Sequence, residues 1–573
     1  MPKLHSPFST QHSALLSVPL FLLFFWLALS SMAGDSPTMD EQNHLARGLA
    51  FLRTGDPRLS LEHPPLVNAI SALPLLTLPD VRLPLDDPSW ERQPPDVYWY
   101  VFAEKLLWEY NHDVTRMIFL ARLPIVFLTM GLALTGFHFA REAWGKGAAL
   151  AALALLLFEP NLLAHGRYTT TDLGGTFFLF LAVWLLWRTW RLDGWSWGRW
   201  LAAAVGLGLA FGSKLSMLIF VPVMGVTAVL PLYGSGWRGW GRRLVQFLTA
   251  GLASIGVVWA IFGFEWGAFR FGDGPLAVLN QFSGPMPTFW AGIAKIAELG
   301  SGGRASFLNG QFSTEGFPAY FPVAFAVKTP LVILILLAVA GVVLLWRKES
   351  RGTAVFLLLP PLLYFLFNLS SGLNIGYRHL LPMLPFMMVL ISGLAAEKND
   401  ERGVLSDEFH PSSFILHPSI VWLGVIMLMA GTLWIHPHYL SYFNLLAGGP
   451  NGGRDILVDS NVDWGQDLRR LREWQVENGV DSLKLGYFGA ADPAYYGIQF
   501  EPLPGFPRPE FYGLWSDPPF DPAAPEPGVY AISASSLWES HWGEKWVYPW
   551  FREREPDEQI GYSILIYRVG DDE

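Results

Sequence analysis

The stretch SALLSVPLFLLFFWLALSSMAG, residues 13–34, decides the fold class of this chain. It carries no charge and is long enough to cross a hydrocarbon core of about 30 Å as one helix. We place the first membrane span at 12–33, so the acidic pair Asp40 and Glu41 follows at the membrane surface. The run Glu62-His63-Pro64-Pro65-Leu66 comes shortly afterwards. Carboxylates and an imidazole are therefore expected where a lipid head group and water can both reach them.

The composition is typical of a membrane protein with several spans. Of 573 residues, 51% are hydrophobic and only 15% are charged, and the mean hydropathy is +0.30. The 26 Trp residues can supply aromatic belts at the two membrane interfaces. The sequence contains no cysteine, which excludes disulfides, thiolate nucleophiles and metal sites built on Cys ligands.

The formal charge of −10 is unevenly distributed along the chain. Residues 438–573 contain 22 Asp and Glu against 10 Lys and Arg, so this tail carries −12 and the remainder +2. Nucleic-acid binding needs a basic surface, so the acidic tail argues against a nucleic-acid partner.

Apolar stretches recur along the chain and predict eleven membrane spans. They lie near 12–33, 117–140, 147–165, 172–190, 200–213, 215–233, 244–264, 322–346, 353–369, 380–396 and 418–437. Basic residues cluster on alternate connections, for example around Arg141, Arg191 and Lys348. Because such residues stay preferentially in the cytoplasm, these connections and the N terminus are predicted inside. The segments 34–116 and 265–321 and the C-terminal region are then predicted outside.

The tail has the character of a soluble domain. The stretch 460–479 is predicted to form a helix, with Ser460 and Asp463 in capping-box spacing. Strand-like runs follow at 482–489, 528–535 and 561–569, which together with the helix predict a small α/β domain. The fold class is thus mainly α, a polytopic transmembrane helical bundle with a C-terminal α/β soluble domain.

Four parts of the chain are predicted from these patterns. Residues 1–396 are predicted to form the main transmembrane part, 397–417 a cytoplasmic low-complexity linker, 418–437 the last span and 438–573 the extracytoplasmic α/β domain.

The first outer segment is predicted to contain interfacial helices. In DEQNHLARGLAFLRTGD (40–56), Leu45, Leu49 and Leu52 share one helical face, the spacing of a helix lying in the interface. The apolar stretch 66–78 that follows is too short to span. An alternative for Asp40 and Glu41 is purely structural, since acidic residues are common at helix starts.

Several later polar residues are predicted to converge on the same outer face. The motif HGRYTTTDLGG (165–175) carries His165, Arg167 and Asp172, while Lys214 and Arg378 follow other spans. Any one of these residues could simply mark a helix end by snorkelling. As a group they suit a reaction at a lipid phosphate: the cations suit the phosphate, and the carboxylates suit removal of an acceptor proton.

Together these motifs resemble those of the GT-C glycosyltransferases, in particular the protein O-mannosyltransferase and aminoarabinose transferase group. The shared features are the acidic pair after the first span, an E-[HK]-P-P motif, T-T-D entering the fourth span, a Lys after a Gly-rich span and R-[HY]-L-L-P. The resemblance covers roughly residues 12–396, and the ordered set is more specific than any single motif. The tail stretch LVDSNVDWGQDLRRL (457–471) resembles an extension of bacterial members.

This resemblance implies transfer of a sugar from a polyprenyl-phosphate-linked donor to an acceptor protein, lipid or glycan. The reaction would take place on the extracytoplasmic face of the inner (plasma) membrane. By the same resemblance Asp40 would be the general base, Glu41 would assist or position it, and Asp172 would contact acceptor or sugar. Lys214 and Arg378 would bind the donor phosphate.

The remaining site residues have less specific assignments. His63 stands where relatives have a Lys and is assigned with the donor-phosphate ligands, while His165 and Arg167 are assigned to acceptor or sugar. Glu62 with His63 could instead bind a divalent metal, although their spacing matches no recognised metal signature. No other cofactor is expected.

Two other classes of function compete with a transferase. A transporter or lipid-linked-sugar flippase would carry ionisable residues or broken helices at mid-membrane, often in repeated halves, whereas here the polar residues cluster at one face. A non-catalytic scaffold would act through tail residues such as Asp459, Asp463 and Trp464. The tail alone contains no nucleophile–base pairing that would favour independent chemistry.

The predicted topology can be tested with reporter fusions. A reporter placed after residue 400 should lie in the cytoplasm, and one placed after residue 460 should lie outside, because one span separates them. Alkaline phosphatase and green fluorescent protein fusions measure the side directly. The same side for both positions would contradict the prediction.

Overall fold

The chain folds into a helical bundle followed by a mixed sheet. The computed structural model describes residues 10–91, 98–191, 193–232, 237–272, 274–302, 305–396, 418–505, 518–538 and 547–570. The predicted linker 397–417 lies outside the described residues.

Helices account for most of the ordered structure up to residue 435. The first group is α1 (Thr10–Gly34), α2 (Glu41–Thr54), α3 (Pro65–Ala72), α4 (Pro88–Glu91), α5 (Tyr98–Glu104), α6 (Val114–Trp144), α7 (Lys146–Phe158), α8 (Pro160–His165) and α9 (Thr171–Trp190). The second group is α10 (Trp197–Phe211), α11 (Phe220–Val229), α12 (Trp240–Ile261), α13 (Pro287–Gly302), α14 (Tyr320–Lys328), α15 (Leu331–Trp346), α16 (Lys348–Asn368), α17 (Leu384–Ser392) and α18 (Ser419–Ile435). Short helices follow as α19 (Gly449–Gly453), α20 (Leu468–Glu477), α21 (Ala534–Leu537) and α22 (Pro549–Arg552).

The described helices confirm a multi-span membrane protein but not the count of eleven spans. Six are long and apolar enough to cross a membrane: Ser17–Gly34, Val114–Trp144, Thr171–Trp190, Trp240–Ile261, Lys348–Asn368 and Tyr377–Ala395. A seventh exists if α14 and α15, which meet at 106°, count as one broken span. The other four predicted spans correspond to shorter apolar helices: Lys146–Phe158, Trp197–Phe211, Leu215–Val229 and Ser419–Ile435.

Proline accounts for two breaks in the apolar helices. Pro330 separates α14 from α15, and Pro160 begins α8 directly after α7 ends. Proline lacks an N–H and disfavours helical backbone in the residue before it, so each helix stops there. The break at Pro160 leads the chain through α8 into residues 166–170, which place Asp172 in the first turn of α9.

The C-terminal region contains a five-stranded sheet. Two small hairpins precede it, formed by β1 (Trp266–Ala268) with β2 (Ser283–Pro285) and by β3 (Ser306–Leu308) with β4 (Gln311–Ser313). The sheet contains β5 (Leu483–Gly486), β6 (Phe500–Pro502), β7 (Gly528–Ser533), β8 (Glu558–Ile560) and β9 (Ile564–Val569) in the order β6-β5-β7-β9-β8. Pairs β5–β6 and β5–β7 are parallel, whereas β7–β9 and β8–β9 are antiparallel.

Both faces of this sheet are covered. Alternate side chains of β7 point to opposite sides, so Ala531 packs with Leu468 and Leu471 of α20, and Tyr530 packs with Phe551. The segment before α20 belongs instead to the helical core, where Leu457, Val462 and Trp464 pack among the membrane helices. The helical bundle and the tail therefore meet along residues 439–464.

Two local predictions need correction. Helix α2 does not lie exposed in an interface, since all its residues from Glu41 to Ala50 are buried by surrounding protein. The helix predicted over 460–479 begins only at Leu468, because the Ser460 hydroxyl donates to the carbonyl of Ile375 instead of capping a helix. In both places contacts with distant parts of the chain determine the structure, and local periodicity does not encode such contacts.

Candidate active site

Asp40 stands directly before α2 and is partly exposed. It occupies the N-cap position, yet its side chain makes no capping hydrogen bond. Its Oδ2 instead accepts a hydrogen bond of 2.7 Å from Nη1 of Arg378. The Asp40 side chain is 27% exposed, so it is paired and still open to an incoming molecule. Helix capping therefore does not account for this carboxylate.

Arg378 connects Asp40 to a second carboxylate. The same Nη1 atom lies 3.8 Å from Oδ2 of Asp172, in the first turn of α9. The other oxygen of Asp172 accepts a hydrogen bond from Nζ of Lys214, which follows the C-terminal end of α10. Asp40, Arg378, Asp172 and Lys214 thus form one row, called here the charged row.

The charged row is more open at its ends than at its centre. Asp172 is only 5% exposed, compared with 11% for Arg378 and 14% for Lys214. Opposite charges attract more strongly when partly withdrawn from water, so each member restrains its neighbour. The row can therefore present two cations to an anion and one accessible carboxylate to a proton. This is where the structure brings together four of the residues predicted from the sequence.

Glu41 is placed differently from its neighbour Asp40. Its carboxylate is fully buried and accepts hydrogen bonds of 2.8 and 2.6 Å from Nε and Nη2 of Arg122 on α6. The N–H groups of Thr38 and Thr169 donate to the same two oxygens. Breaking a buried pair of this kind by removing one partner costs about 3–5 kcal/mol. The structure therefore shows Glu41 holding the start of α2 against α6, and a direct part for it in catalysis stays a prediction.

His63 lies beside the charged row but is not a cation. Its Nδ1 is 3.1 Å from the Thr171 hydroxyl, and its ring packs edge-on against His44 with 4.7 Å between centroids. Burial lowers the pKa of His63 well below 6.5, and the nearby His44, Arg47 and Lys214 lower it further. A neutral imidazole can donate one hydrogen bond to a phosphate but cannot replace the charge of a lysine. If His63 binds the donor phosphate, it can therefore contribute one hydrogen bond but no positive charge.

The residues do not fit the predicted divalent metal. Glu62 points to Arg47, with 3.4 Å between Oε2 and Nη2, and not to His63. Among the described residues, no group of three or more His, Asp or Glu side chains is arranged to bind a metal ion. We therefore derive no chemical step through a metal.

Arg167 belongs to a structural cluster and not to the charged row. It forms an ion pair with Asp35, whose Oδ2 also accepts 2.7 Å from the Tyr168 hydroxyl. Arg470 of the tail lies 2.9 Å from the other oxygen of Asp35. Burial raises the pKa of Asp35, but Arg167, Arg470 and Arg122 outweigh burial, so the pKa lies below its ordinary value. The structure thus does not support acceptor or sugar binding by Arg167.

Asp35 escaped the sequence-based prediction, although it stands only five residues before Asp40. Its partners come from α8's C-terminal side and from α20, far away in the chain. The sequence shows only that Asp35 directly follows the first apolar span, and no local pattern indicates that its partners are Arg167 and Arg470.

His165 is buried beside a tail residue. Its ring lies edge-on to the Trp464 ring with 6.0 Å between centroids, and its Nδ1 has no hydrogen-bond partner among the described residues. The Trp464 ring also lies beneath Arg378, with 4.5 Å from the guanidinium carbon to the ring centroid. The sequence pattern identified both residues but did not place them together.

A family model matches part of the chain. The family described as dolichyl-phosphate-mannose-protein mannosyltransferase matches residues 112–262, which include Asp172 and Lys214. The chain resembles the GT-C glycosyltransferases. The match confirms the resemblance to the protein O-mannosyltransferase group that the sequence motifs indicated. No curated protein matches the chain.

Solved structures show distant likenesses over most of the chain. ArnT from Cupriavidus metallidurans in the apo state has 13% identity and a TM-score of 0.48, covering 97% of this chain and 98% of that chain. The same protein bound to undecaprenyl phosphate has 12% identity, a TM-score of 0.47 and the same coverage. An Archaeoglobus fulgidus oligosaccharyltransferase tethered with an acceptor peptide has 12% identity and a TM-score of 0.43, covering 88% of this chain and 61% of that chain. Likenesses at this distance carry no argument about function.

Burial of His44 predicts a loss of stability in acid. Burial, together with the nearby Arg47, lowers the pKa of His44 from 6.5 to about 4. Between these values the unfolded chain binds a proton that the folded chain does not, so stability present above pH 6.5 is lost as the pH falls. The loss between pH 7 and pH 5 is about 2 kcal/mol.

Calorimetry of the detergent-solubilised protein measures this effect as a falling unfolding midpoint. The variant His44→Gln should show a shallower fall, and His112→Gln, at an exposed position, should keep the full slope. Equal slopes in all three proteins would contradict the assignment to His44.

Proposed function

We propose that the protein is a membrane glycosyltransferase that moves a sugar from a polyprenyl-phosphate donor to an acceptor on the extracytoplasmic face. The observation that carries the proposal is the charged row, in which two cations and two carboxylates meet at the outer ends of α2, α9 and α10. The family match over residues 112–262 supports the same reaction class, since that family is named for a lipid-phosphate sugar donor.

Lys214 and Arg378 are the proposed ligands of the donor phosphate. Each already donates to a carboxylate oxygen, to Asp172 and to Asp40 respectively. A phosphate offers the same kind of acceptor oxygen with more charge, so it can replace a carboxylate at either cation. Binding of the donor would thus loosen Asp40 from Arg378 at the moment when a base is needed.

Asp40 is the proposed general base. The acceptor hydroxyl oxygen attacks the anomeric carbon, the bond from that carbon to the phosphate oxygen breaks, and the polyprenyl phosphate leaves with the bonding electrons. The acceptor proton passes to Asp40, the most exposed carboxylate of the charged row. The cations stabilise the negative charge that develops on the leaving phosphate. One base is sufficient for this displacement.

Asp172 is assigned a supporting role within this scheme. It lies between Lys214 and Arg378 and keeps the two cations at a fixed separation. With only 5% exposure it has little surface for direct contact with a sugar. A direct contact between Asp172 and acceptor or sugar remains a prediction.

The finer features of the proposal concern placement and partners. The cytoplasmic N terminus and the extracytoplasmic tail follow from the distribution of basic residues, and the inner membrane as location follows from the family resemblance. The acceptor would be a protein, lipid or glycan with a free hydroxyl or amine. The division into a part at 1–396 and a soluble domain at 438–573 follows the change in composition.

Replacing either cation should weaken donor binding. Lys214→Gln and Arg378→Gln each remove one charge-assisted hydrogen bond to phosphate, which corresponds to about 1.5–3 kcal/mol. Binding of polyprenyl phosphate to the purified protein, measured by microscale thermophoresis, tests this. Arg191→Gln is the matched control, because Arg191 stacks on Trp187 at the other end of α9. Unchanged affinity in both site variants would remove them as phosphate ligands.

Replacing Asp40 should abolish most of the transfer without loss of donor binding. Asp40→Asn keeps the shape but removes the basicity, so turnover should fall roughly 10²- to 10⁴-fold. If the role of Asp40 were only to cap α2, Asn would cap the helix about equally well and transfer would stay near normal. The assay follows consumption of radiolabelled polyprenyl-phosphate sugars by the purified protein.

Asp56→Asn is the control for this substitution, since Asp56 follows the other end of α2 and pairs with Arg58. Near-normal transfer by Asp40→Asn would exclude Asp40 as the base. Consumption of no lipid-linked sugar by the wild-type protein would overturn the proposed function itself.

A further inference from the structure

Trp464 belongs to the soluble tail in sequence and to the charged row in space. Its side chain is 1% exposed and packs in the core formed by the membrane helices. The indole face covers the Arg378 guanidinium at 4.5 Å, while one edge of that guanidinium reaches Asp40 and Asp172. An aromatic face attracts a cation and favours a guanidinium plane stacked on it. Trp464 thus restricts Arg378 from the side that the carboxylates leave open.

The backbone of Trp464 contacts the segment that carries Asp40, the partner of Arg378. Its carbonyl accepts a hydrogen bond of 2.9 Å from the N–H of Met39, the residue before Asp40. The N–H of Ser36 donates to the carbonyl of Gln466 at 2.9 Å, so the loop before α2 and the tail are joined twice. One residue therefore contacts Arg378 through its ring and the Asp40 segment through its backbone.

The turn that carries Trp464 is itself rigid. Gly465 has φ +85°, and a Cβ there would lie 2.6 Å from the Tyr487 hydroxyl, so only glycine fits. Asp463 is buried and accepts a hydrogen bond of 3.0 Å from the N–H of Ser535 in α21, which directly follows β7. Burial raises the pKa of Asp463 to about 7. The C-terminal sheet region thus contacts and stabilises the turn that carries Trp464.

We infer that Trp464 is a positioning residue for the Asp40–Arg378 pair, which makes the tail segment 462–467 a structural part of the transferase site. The inference rests on the proposed function for its effect on transfer, and on the contacts of Trp464 for its effect on Arg378. Trp464 itself is not assigned contact with the reacting atoms. Its role is to keep the guanidinium oriented between Asp40 and the incoming phosphate.

A graded series of substitutions tests this inference. Trp464→Leu removes the aromatic face, so transfer and the affinity for polyprenyl phosphate should each fall roughly 2- to 30-fold, the range of a cation–π contact. Trp464→Phe keeps a smaller aromatic face and should restore most of both. Trp187→Leu is the matched control, since Trp187 is a buried tryptophan stacked under Arg191 at 4.3 Å, away from the charged row. It should leave the affinity for polyprenyl phosphate unchanged.

A double-mutant cycle separates positioning from general packing. If Trp464 acts through Arg378, then Trp464→Leu should cause no further loss in an Arg378→Gln background. Losses that multiply in the double variant, or equal losses for Leu and Phe at 464, would overturn the inference. Should Trp464→Leu fail to accumulate as folded protein, the cycle is run with Trp464→Met, which also lacks an aromatic face but fills more of the space, and is judged by the same rule.

The same cycle read by the thermal unfolding midpoint needs no substrate. Coupled shifts for the 464 and 378 variants would support the contact, and purely additive shifts would overturn it. If the wild-type protein consumes no lipid-linked sugar, the proposed function fails, and this cycle alone decides whether Trp464 positions Arg378.

Discussion

The arrangement of the site depends on the Arg378 guanidinium. It donates to Asp40, approaches Asp172 and lies on the face of Trp464, so it joins the segment after the first span, α9 and the tail at one point. Arginine suits this position, because its charge is permanent and its planar fork can serve several acceptors at once. A lysine would offer a point charge without the flat surface that stacks on an aromatic ring.

Two buried carboxylates, Glu41 and Asp35, form ion pairs that support this arrangement. Glu41 and Arg122 fix the start of α2 against α6, while Asp35 binds Arg167 and Arg470 and ties the loop after the first span to the tail. Buried charges are costly unless paired and hydrogen-bonded, and each of these carboxylates accepts several donors. These ion pairs hold Glu41 and Asp35 in buried positions. Among the carboxylates of the site, Asp40 is the one with substantial exposure. Acidic residues close together in the sequence thus have separate tasks.

Much of the site was predictable because ionisable residues lie at the ends of apolar stretches. Asp40, Asp172, Lys214 and Arg378 were all identified this way, and they come together as a row. Each of the eleven apolar stretches also corresponds to helical structure in the described residues, although four of these helices proved shorter than a full span. Residue type and position along a helix are local properties, and a sequence reports these reliably.

The pairings themselves could not be predicted. Arg378 and Asp40 lie 338 residues apart, and no local pattern tells which carboxylate meets which cation. For the same reason Glu41 could not be distinguished from Asp40, and the contact of Trp464 with the charged row was not foreseen. The charge state of His63 also depends on its burial and on the cations around it, which are tertiary features.

The most direct test of the proposed site is a structure of the protein with polyprenyl phosphate bound. It should show the phosphate oxygens at Lys214 and Arg378, with the Asp40 carboxylate separated from the guanidinium. A phosphate bound elsewhere, with the 2.7 Å contact between Asp40 and Arg378 unchanged, would contradict it.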